Sequence, residues 1–236
     1  MPQLAIIVLL SWLAGVAALL GGVVALFEGT AETEGKRELV HGVVAFGGGI
    51  LVAAVAFALV PAGMVHLSPL RLAAVFSLGG LAFCILDAAV CKKAGSRGQF
   101  MAMLMDFVPE AIAMGALFAH DHRTGILLAL FIGAQNLPEG FNAFRESTEG
   151  RVTARATLIS LFVVSLFGPV AGCVGYLLLQ DHPVLTASIM GFAGGGVLYL
   201  VFQDIAPQSK MKRHWTPPLG AVLGFTVGMI GKQLLG

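Results

Sequence analysis

Charged side chains are scarce in this sequence. Asp, Glu, Lys and Arg make up only 11% of its 236 residues, whereas they make up about 25% of a typical soluble domain. Hydrophobic residues reach 57%, and the mean hydropathy is +0.89. Because so few charges cannot cover a surface that faces water, we expect lipid to solvate the outside of this protein. The composition therefore predicts an integral membrane protein.

The sequence also lacks an excess of basic residues and any cysteine motif. Its formal net charge of +1 gives no basic footprint for a nucleic acid, so we expect no nucleic-acid partner. The three cysteines, Cys84, Cys91 and Cys173, lie in or beside apolar runs and form no CxxC pair. Buried cysteine usually acts as a small hydrophobic residue, so we assign neither a disulfide nor a thiolate metal site.

A phosphate-binding loop is missing as well. The glycine runs 47–49 and 194–196 are not followed by the lysine that such a loop requires. In lipid, small residues let helix backbones approach closely, so we interpret both runs as helix-packing surfaces. We expect no organic cofactor.

Apolar segments fill most of the chain. A membrane-spanning helix needs about 20 mostly apolar residues, and eight runs meet this length approximately: 4–27, 42–65, 70–91, 100–119, 125–144, 156–179, 184–206 and 217–235. We therefore expect an all-α, polytopic bundle of eight transmembrane helices that forms a single domain over residues 1–236. The short joints at 66–69 and 180–183 are typical of turns between antiparallel neighbours.

Lysine and arginine are distributed unevenly between the two sides of this predicted bundle. Eleven follow the odd-numbered runs: Lys36, Arg37, Lys92, Lys93, Arg97, Arg145, Arg151, Arg155, Lys210, Lys212 and Arg213. Only three, Arg71, Arg123 and Lys232, lie on the opposite side. Because cytoplasmic loops carry the excess of basic residues, this bias predicts that both termini are extracytoplasmic.

Five carboxylates fall within or at the ends of the apolar runs: Asp87, Asp106, Glu110, Glu139 and Asp204. No lysine or arginine lies deep in any run to pair with them. An ionisable residue inside a membrane is costly and usually functional. Several carboxylates in one bundle repel each other unless they are protonated or share a cation.

Three of these carboxylates, Asp106, Glu110 and Glu139, belong to matching motifs in the fourth and fifth runs. Residues 106–111 read DFVPEA and residues 135–140 read QNLPEG, so both follow the pattern polar-x-x-Pro-Glu-small. The i, i+4 spacing places Asp106 beside Glu110 on one helix and Gln135 beside Glu139 on the other. Each proline removes a helical hydrogen bond, and the freed carbonyls need other partners in lipid.

A simpler interpretation makes each proline an ordinary kink and each glutamate a protonated carboxyl in a helix contact. Two matching copies on neighbouring antiparallel helices favour a shared cation site instead.

The two motifs resemble the paired motifs of the ZIP (Zrt-/Irt-like) divalent-metal transporters, and residues 135–140 are the closer match. The eight spans, the external termini and the glycine-rich seventh run also resemble that family. The resemblance implies import of divalent metal cations through a primary site made by four residues: Asp106, Glu110, Gln135 and Glu139. The expected cargo is Zn²⁺, Mn²⁺, Fe²⁺ or Cd²⁺.

This sequence departs from the family pattern at two places. Phe107 stands where a ligand of a second metal is expected and cannot coordinate, and the stretch 167–169 offers no acid. Only Asn136 remains as a secondary ligand, so we expect one central metal. Asp106 stands where the family usually has histidine, and an all-oxygen site suits Mn better than Zn. We therefore expect a preference for Mn or Fe(II).

Further residues are candidates for the two ends of the pathway. His66, His120 and His122 lie near the outer side and could capture metal, although isolated histidines are more often structural. Gln203 and Asp204 lie near the inner end of the seventh run and are exit candidates by the resemblance.

Three rival functions stay open: a proton-coupled carrier of another solute, a degenerate metal sensor, and an intramembrane metal-dependent hydrolase. No histidine lies in the fourth or fifth run near the carboxylates. A hydrolase would need a His-Glu-x-x-His type of ligand set, so we expect no enzyme. Metal ions and the lipid bilayer are the expected partners. A homodimer is compatible with the sequence, and the lack of a targeting segment suggests a bacterial inner membrane.

Overall fold

The structure is a computed structural model that describes residues 2–28, 33–94, 98–212 and 214–235. At residues 2, 90–94, 98, 99, 101 and 102 it describes the backbone alone. Arg97 and Arg213 lie outside the described residues, as do the side chains of Cys91, Lys92 and Lys93. Cys84 and Cys173 are both free thiols.

The described residues form eight helices in an all-helical bundle. We label them α1 (Pro2–Glu28), α2 (Glu34–His66), α3 (Pro69–Ala94), α4 (Gly98–Phe118), α5 (His122–Glu149), α6 (Ala154–Leu179), α7 (Pro183–Ser209) and α8 (Leu219–Leu235). Two residues separate α2 from α3, and three separate α6 from α7. These joints confirm the predicted tight turns.

Some helices extend well beyond the predicted apolar runs. α2 begins at Glu34, eight residues before the predicted start, because the Thr33 side chain caps it by accepting a hydrogen bond from the Lys36 amide at 3.4 Å. α5 likewise continues to Glu149, five residues past the predicted end. Hydropathy marks only the apolar part of a helix, and polar turns project beyond it.

Five helices within the described residues are long and apolar enough to cross a membrane: α1, α2, α3, α6 and α7. α8 is apolar but shorter, at 17 residues. Large apolar side chains are exposed on the outside of the bundle, with Phe27 83% exposed and Leu70 81% exposed. The polar side chains Glu110 and Gln135 are instead fully buried. This inside-out distribution is the one that a lipid solvent favours.

Glycine brings the helices into close contact. A Cβ atom added to Gly49 of α2 would lie 2.1 Å from the Ala221 carbonyl oxygen of α8. One added to Gly195 of α7 would lie 1.9 Å from the Phe76 carbonyl oxygen of α3. Both distances are far below van der Waals contact, so backbone packs directly on backbone. The prediction that the two glycine runs are packing surfaces is confirmed.

Wider π-helical turns interrupt three helices, at Val55–Leu59 in α2, Gly175–Leu179 in α6 and Val201–Ile205 in α7. In α2 and α7 a proline, Pro61 or Pro207, follows the π turn by two residues. Proline has no amide hydrogen and crowds the preceding turn, so a wider turn before it relieves the clash.

We expect Gly49→Ala to destabilise the protein by about 1–3 kcal/mol, because the added methyl group must push α8 away from α2. The matched control is Gly42→Ala on the same helix, since nothing lies within 4 Å of a Cβ added there. Thermal unfolding in detergent checks both variants. Equal melting temperatures would contradict the backbone contact between α2 and α8.

Candidate metal centre

The two Pro-Glu motifs lie on adjacent helices in the middle of the bundle. Only residues 119–121 join α4 to α5, so the helices are antiparallel neighbours, as predicted. Both helices continue through their internal prolines, Pro109 and Pro138. The motifs therefore stay on regular helical faces, and the i, i+4 spacing of their polar residues is preserved.

A direct hydrogen bond joins the two motifs. The Gln135 side-chain amide donates to Glu110 Oε2 at 2.6 Å, and both side chains are fully buried. A buried hydrogen bond to a carboxylate is short and strong because little water screens it. This bond fixes the register of α4 against α5 at the level of the carboxylates.

Asp106 and Glu139 complete a group of three buried carboxylates. Their side chains are 3% and 6% exposed. The charge of Asp106 interacts with those of Glu139 and Glu110, and the charge of Glu139 interacts with that of Glu110. None of the three forms a salt bridge with a lysine, arginine or histidine in the described part of the chain. The three acids thus concentrate negative charge without a protein cation to balance it.

Five buried side-chain oxygen atoms of the two motifs have no hydrogen-bond partner among the residues that the structure describes: Asp106 Oδ1, Glu110 Oε1, Gln135 Oε1, Asn136 Oδ1 and Glu139 Oε2. These are the polar residues of the two motifs. Buried polar atoms are nearly always paired, and leaving one unpaired costs about 1–3 kcal/mol, more when it is charged. An arrangement of unpaired acceptors of this kind suits a cation.

The carboxylates do not yet form a closed ligand set. Among the residues that the structure describes, no three His, Cys, Asp or Glu side chains meet at the spacing of metal ligands. A cation bound by all three acids would therefore require their side chains to draw closer together than they are here. The amide oxygens of Gln135 and Asn136 are further potential ligands beside these acids.

Helix α1 packs against the motif of α5. Asn136 donates its side-chain amide to the Ala14 carbonyl of α1 at 2.9 Å. A Cβ atom added to Gly140 would lie 2.0 Å from the Ala18 carbonyl oxygen of the same helix. The small residue that ends the α5 motif is therefore needed for the approach of α1, and Asn136 is held by that contact.

Phe107 occupies the space next to the site on the side of α1 and α6. Its ring is 1% exposed. A Cβ atom added to Gly15 of α1 or to Gly168 of α6 would lie 2.9 Å or 2.7 Å from the tip of this ring. An apolar ring thus fills the position where sequence comparison expected a second metal ligand. That only one metal binds stays a prediction.

A cavity of about 560 Å³ opens at the end of the bundle where α1 begins and α8 ends. His66 and His120 line it, and the His120 ring contacts the Gln180 carbonyl. Its inner wall includes Ala116, which is fully buried and lies six residues, or about 9 Å of helix, from Glu110. We call this space the vestibule.

His122, the third entrance candidate, is not among the residues that line the vestibule. Its ring packs against Phe118 at a centroid distance of 4.7 Å, and its Nε2 atom lies 3.1 Å from the side-chain nitrogen of Gln3. Sequence spacing grouped His120 with His122, but the start of α5 between them sends their side chains to different places. Lys232 and Asp121 also line the vestibule, and sequence reasoning assigned neither of them to the pathway.

The two exit candidates lie at the other end of α7. Asp204 lies 21 residues from Pro183 of the vestibule wall, or roughly 30 Å along the helix. It is half-buried, and its charge interacts with those of Asp87 and Glu146. Gln203 is exposed. The structure thus adds Asp87 and Glu146 to the surroundings of Asp204.

No protein-family model matches the chain. A relative from Myxococcus xanthus named zinc transporter GufA is 30% identical over 143 residues. The aligned region covers 58% of this chain and 54% of the relative, so the chain spans about half the length of the curated relative that it matches. The chain is therefore similar to a metal transporter over more than half of its residues.

We expect Gln135→Ala to destabilise the protein by about 1–3 kcal/mol in the absence of added metal, because Glu110 Oε2 loses its buried donor. The double variant Glu110→Leu/Gln135→Leu should recover most of that loss, since it removes both partners together. A double-mutant cycle of thermal unfolding in detergent, built from Glu110→Leu, Gln135→Leu and the double variant, measures the coupling. Additive effects of the two positions would contradict the hydrogen bond between α4 and α5.

Proposed function

We propose that this protein is a divalent-metal transporter of the ZIP family, and that its cargo binds between α4 and α5. The observation that carries this proposal is the set of five unpaired buried oxygens on the two matching motifs. The proposed primary ligands are Asp106, Glu110, Gln135 and Glu139, with Asn136 as a secondary donor.

A cation explains the site better than protons alone. Protons on the carboxylates would reduce their repulsion and would convert some acceptors into donors. Each protonated carboxyl would supply one donor to one acceptor, whereas a cation is shared by several oxygens, including the unpaired side-chain oxygens of Gln135 and Asn136. One divalent ion would neutralise negative charge on the acids and would also be coordinated by the amide oxygens. Proton coupling of another solute is the alternative that the uptake experiment below excludes.

The relative named as a zinc transporter supports the proposal from a separate direction. We extend its activity to this chain because the residues that the motifs predicted to meet are buried together between two adjacent helices. We further propose eight membrane spans with both termini extracytoplasmic, in a bacterial inner membrane. Metal would then pass inward from the vestibule, through the central carboxylates, toward Asp204.

The ligand set is made of oxygen atoms only. Oxygen ligands suit Mn and other hard cations, whereas imidazole and thiolate suit Zn. We therefore propose that Mn²⁺ or Fe²⁺ is carried at least as well as Zn²⁺, and that Cd²⁺ is a weaker cargo. The name of the relative favours zinc. The proposed preference for Mn²⁺ or Fe²⁺ therefore rests on the oxygen ligands of this chain alone.

We expect Glu110→Ala and Glu139→Ala to reduce metal uptake into right-side-out vesicles by at least about tenfold, because each variant removes a ligand that carries charge. The control is Glu149→Ala, which removes an exposed acid from the end of the same helix α5. Radioactive Mn²⁺ serves as the cargo, and unlabelled Zn²⁺, Mn²⁺ and Fe²⁺ serve as competitors.

Uptake by both glutamate variants at the wild-type rate would overturn the proposed function. Strong competition by Zn²⁺ alone would leave metal transport in place but would contradict the preference for harder cations.

A further inference from the structure

Among the described residues that line the vestibule, one is a lysine and none is an arginine. Lys232, near the end of α8, contributes to its wall together with His66, His120, Asp121 and Thr124. The rest of the lining is mostly apolar. Lys232 is half-buried, and its charge interacts with that of Asp121. A fixed positive charge at the mouth of a cation pathway works against the cargo, so its presence requires an explanation.

We infer that Lys232 is a specificity-determining residue whose ammonium group lowers the concentration of divalent cations in the vestibule and so sets the apparent affinity for metal. This inference rests on the proposed function. It assigns a role to a residue of α8 that lies outside the motifs of α4 and α5.

The physical basis is that an ion of charge +2 feels twice the potential felt by an ion of charge +1. A unit charge about 8 Å from the path of the ion, in water at about 10 mM ionic strength, reduces the local concentration of a divalent ion roughly fourfold. At about 1 M ionic strength the screening length falls to about 3 Å and the effect nearly disappears. Salt dependence is therefore the signature of a through-space charge effect.

Asp121 balances part of this charge. Its carboxylate caps α5 by accepting hydrogen bonds from the Arg123 amide at 3.0 Å and the Thr124 amide at 3.1 Å, and it accepts another from the Thr124 hydroxyl at 2.5 Å. Although burial acts to raise the pKa of Asp121, these hydrogen bonds and the charge of Lys232 hold it below its usual value. Asp121 is therefore ionised at neutral pH, and the vestibule carries one negative and one positive group.

A structural role would give different results from a charge filter. If Lys232 only stabilised the cap of α5, then its loss would lower the melting temperature and the maximal rate at every salt concentration. Asp121→Asn separates the two roles, because asparagine still caps a helix while the negative charge is removed.

The experiment measures initial Mn²⁺ uptake into right-side-out vesicles, over a range of metal concentrations, at about 10 mM and at about 1 M ionic strength. The variants are Lys232→Met, Lys232→Arg, Asp121→Asn and the double variant Lys232→Met/Asp121→Asn. Arg71→Gln is the matched control, because it removes a positive charge from an exposed residue at the same end of the bundle that does not line the vestibule.

At low salt and subsaturating Mn²⁺, we expect Lys232→Met to raise uptake about fourfold and Asp121→Asn to lower it by a similar factor. Lys232→Arg, the double variant and Arg71→Gln should stay near wild type. At high salt all variants should converge, and the saturating rates should agree throughout.

Uptake by Lys232→Met that equals wild type at low salt, or that changes by the same factor at both salt concentrations, would overturn the inference. Wild-type protein that carries no metal at all would instead defeat the proposed function, so the two failures are distinguishable.

Discussion

Three carboxylates are buried between α4 and α5, and no lysine, arginine or histidine in the described part of the chain forms a salt bridge with them. This electrostatic constraint organises the rest of the structure, because burying like charges costs free energy unless a cation or protons compensate. Gln135 offers one donor to Glu110, and five neighbouring oxygens stay unpaired. We propose that a bound cation completes this core.

The surrounding helices keep water and lipid away from this group. α1 approaches α5 at the level of Gly140, where a single added carbon atom would clash with the Ala18 carbonyl. On the other side, a Cβ added to Gly47 of α2 would lie 2.7 Å from Pro138. Five other helices are apolar and long enough to span a bilayer, whereas the two motif helices carry buried polar residues. Close glycine contacts are thus what allows a polar site to be enclosed by a bundle of this size.

Much of the helical arrangement could be predicted from hydropathy and short motifs. The run of eight apolar segments, the pairing of residues 106–111 with 135–140 and the packing role of the glycine runs all follow from local composition and spacing. Helix ends did not follow, because the cap formed by Thr33 and the polar end of α5 lie outside the apolar signal. His120 lies in the turn before α5 and His122 is its first residue, so their side chains point in different directions. Spacing along the chain does not predict these directions.

Contacts between distant helices were the least accessible to prediction. Lys232 lies more than 100 residues from Asp121, and Glu146 lies 58 residues from Asp204 in the sequence, yet the charges of each pair interact. The packing of α8 against α5, and of α2 against both α5 and α7, brings them together. The sequence shows only a lone lysine near the end of an apolar helix. Hydropathy alone would interpret such a residue as the end of the membrane-spanning segment.

The central claim is that a divalent cation binds among the carboxylates of α4 and α5. Crystals soaked with Mn²⁺ or Zn²⁺ and measured at the absorption edge of each metal test it most directly, because anomalous scattering locates the ion and identifies the element. We expect one strong anomalous peak within coordination distance of Glu110 and Glu139, with the side chains of Asp106 and Gln135 turned toward it. The absence of a peak at that position, or a peak confined to other acidic residues, would contradict the account.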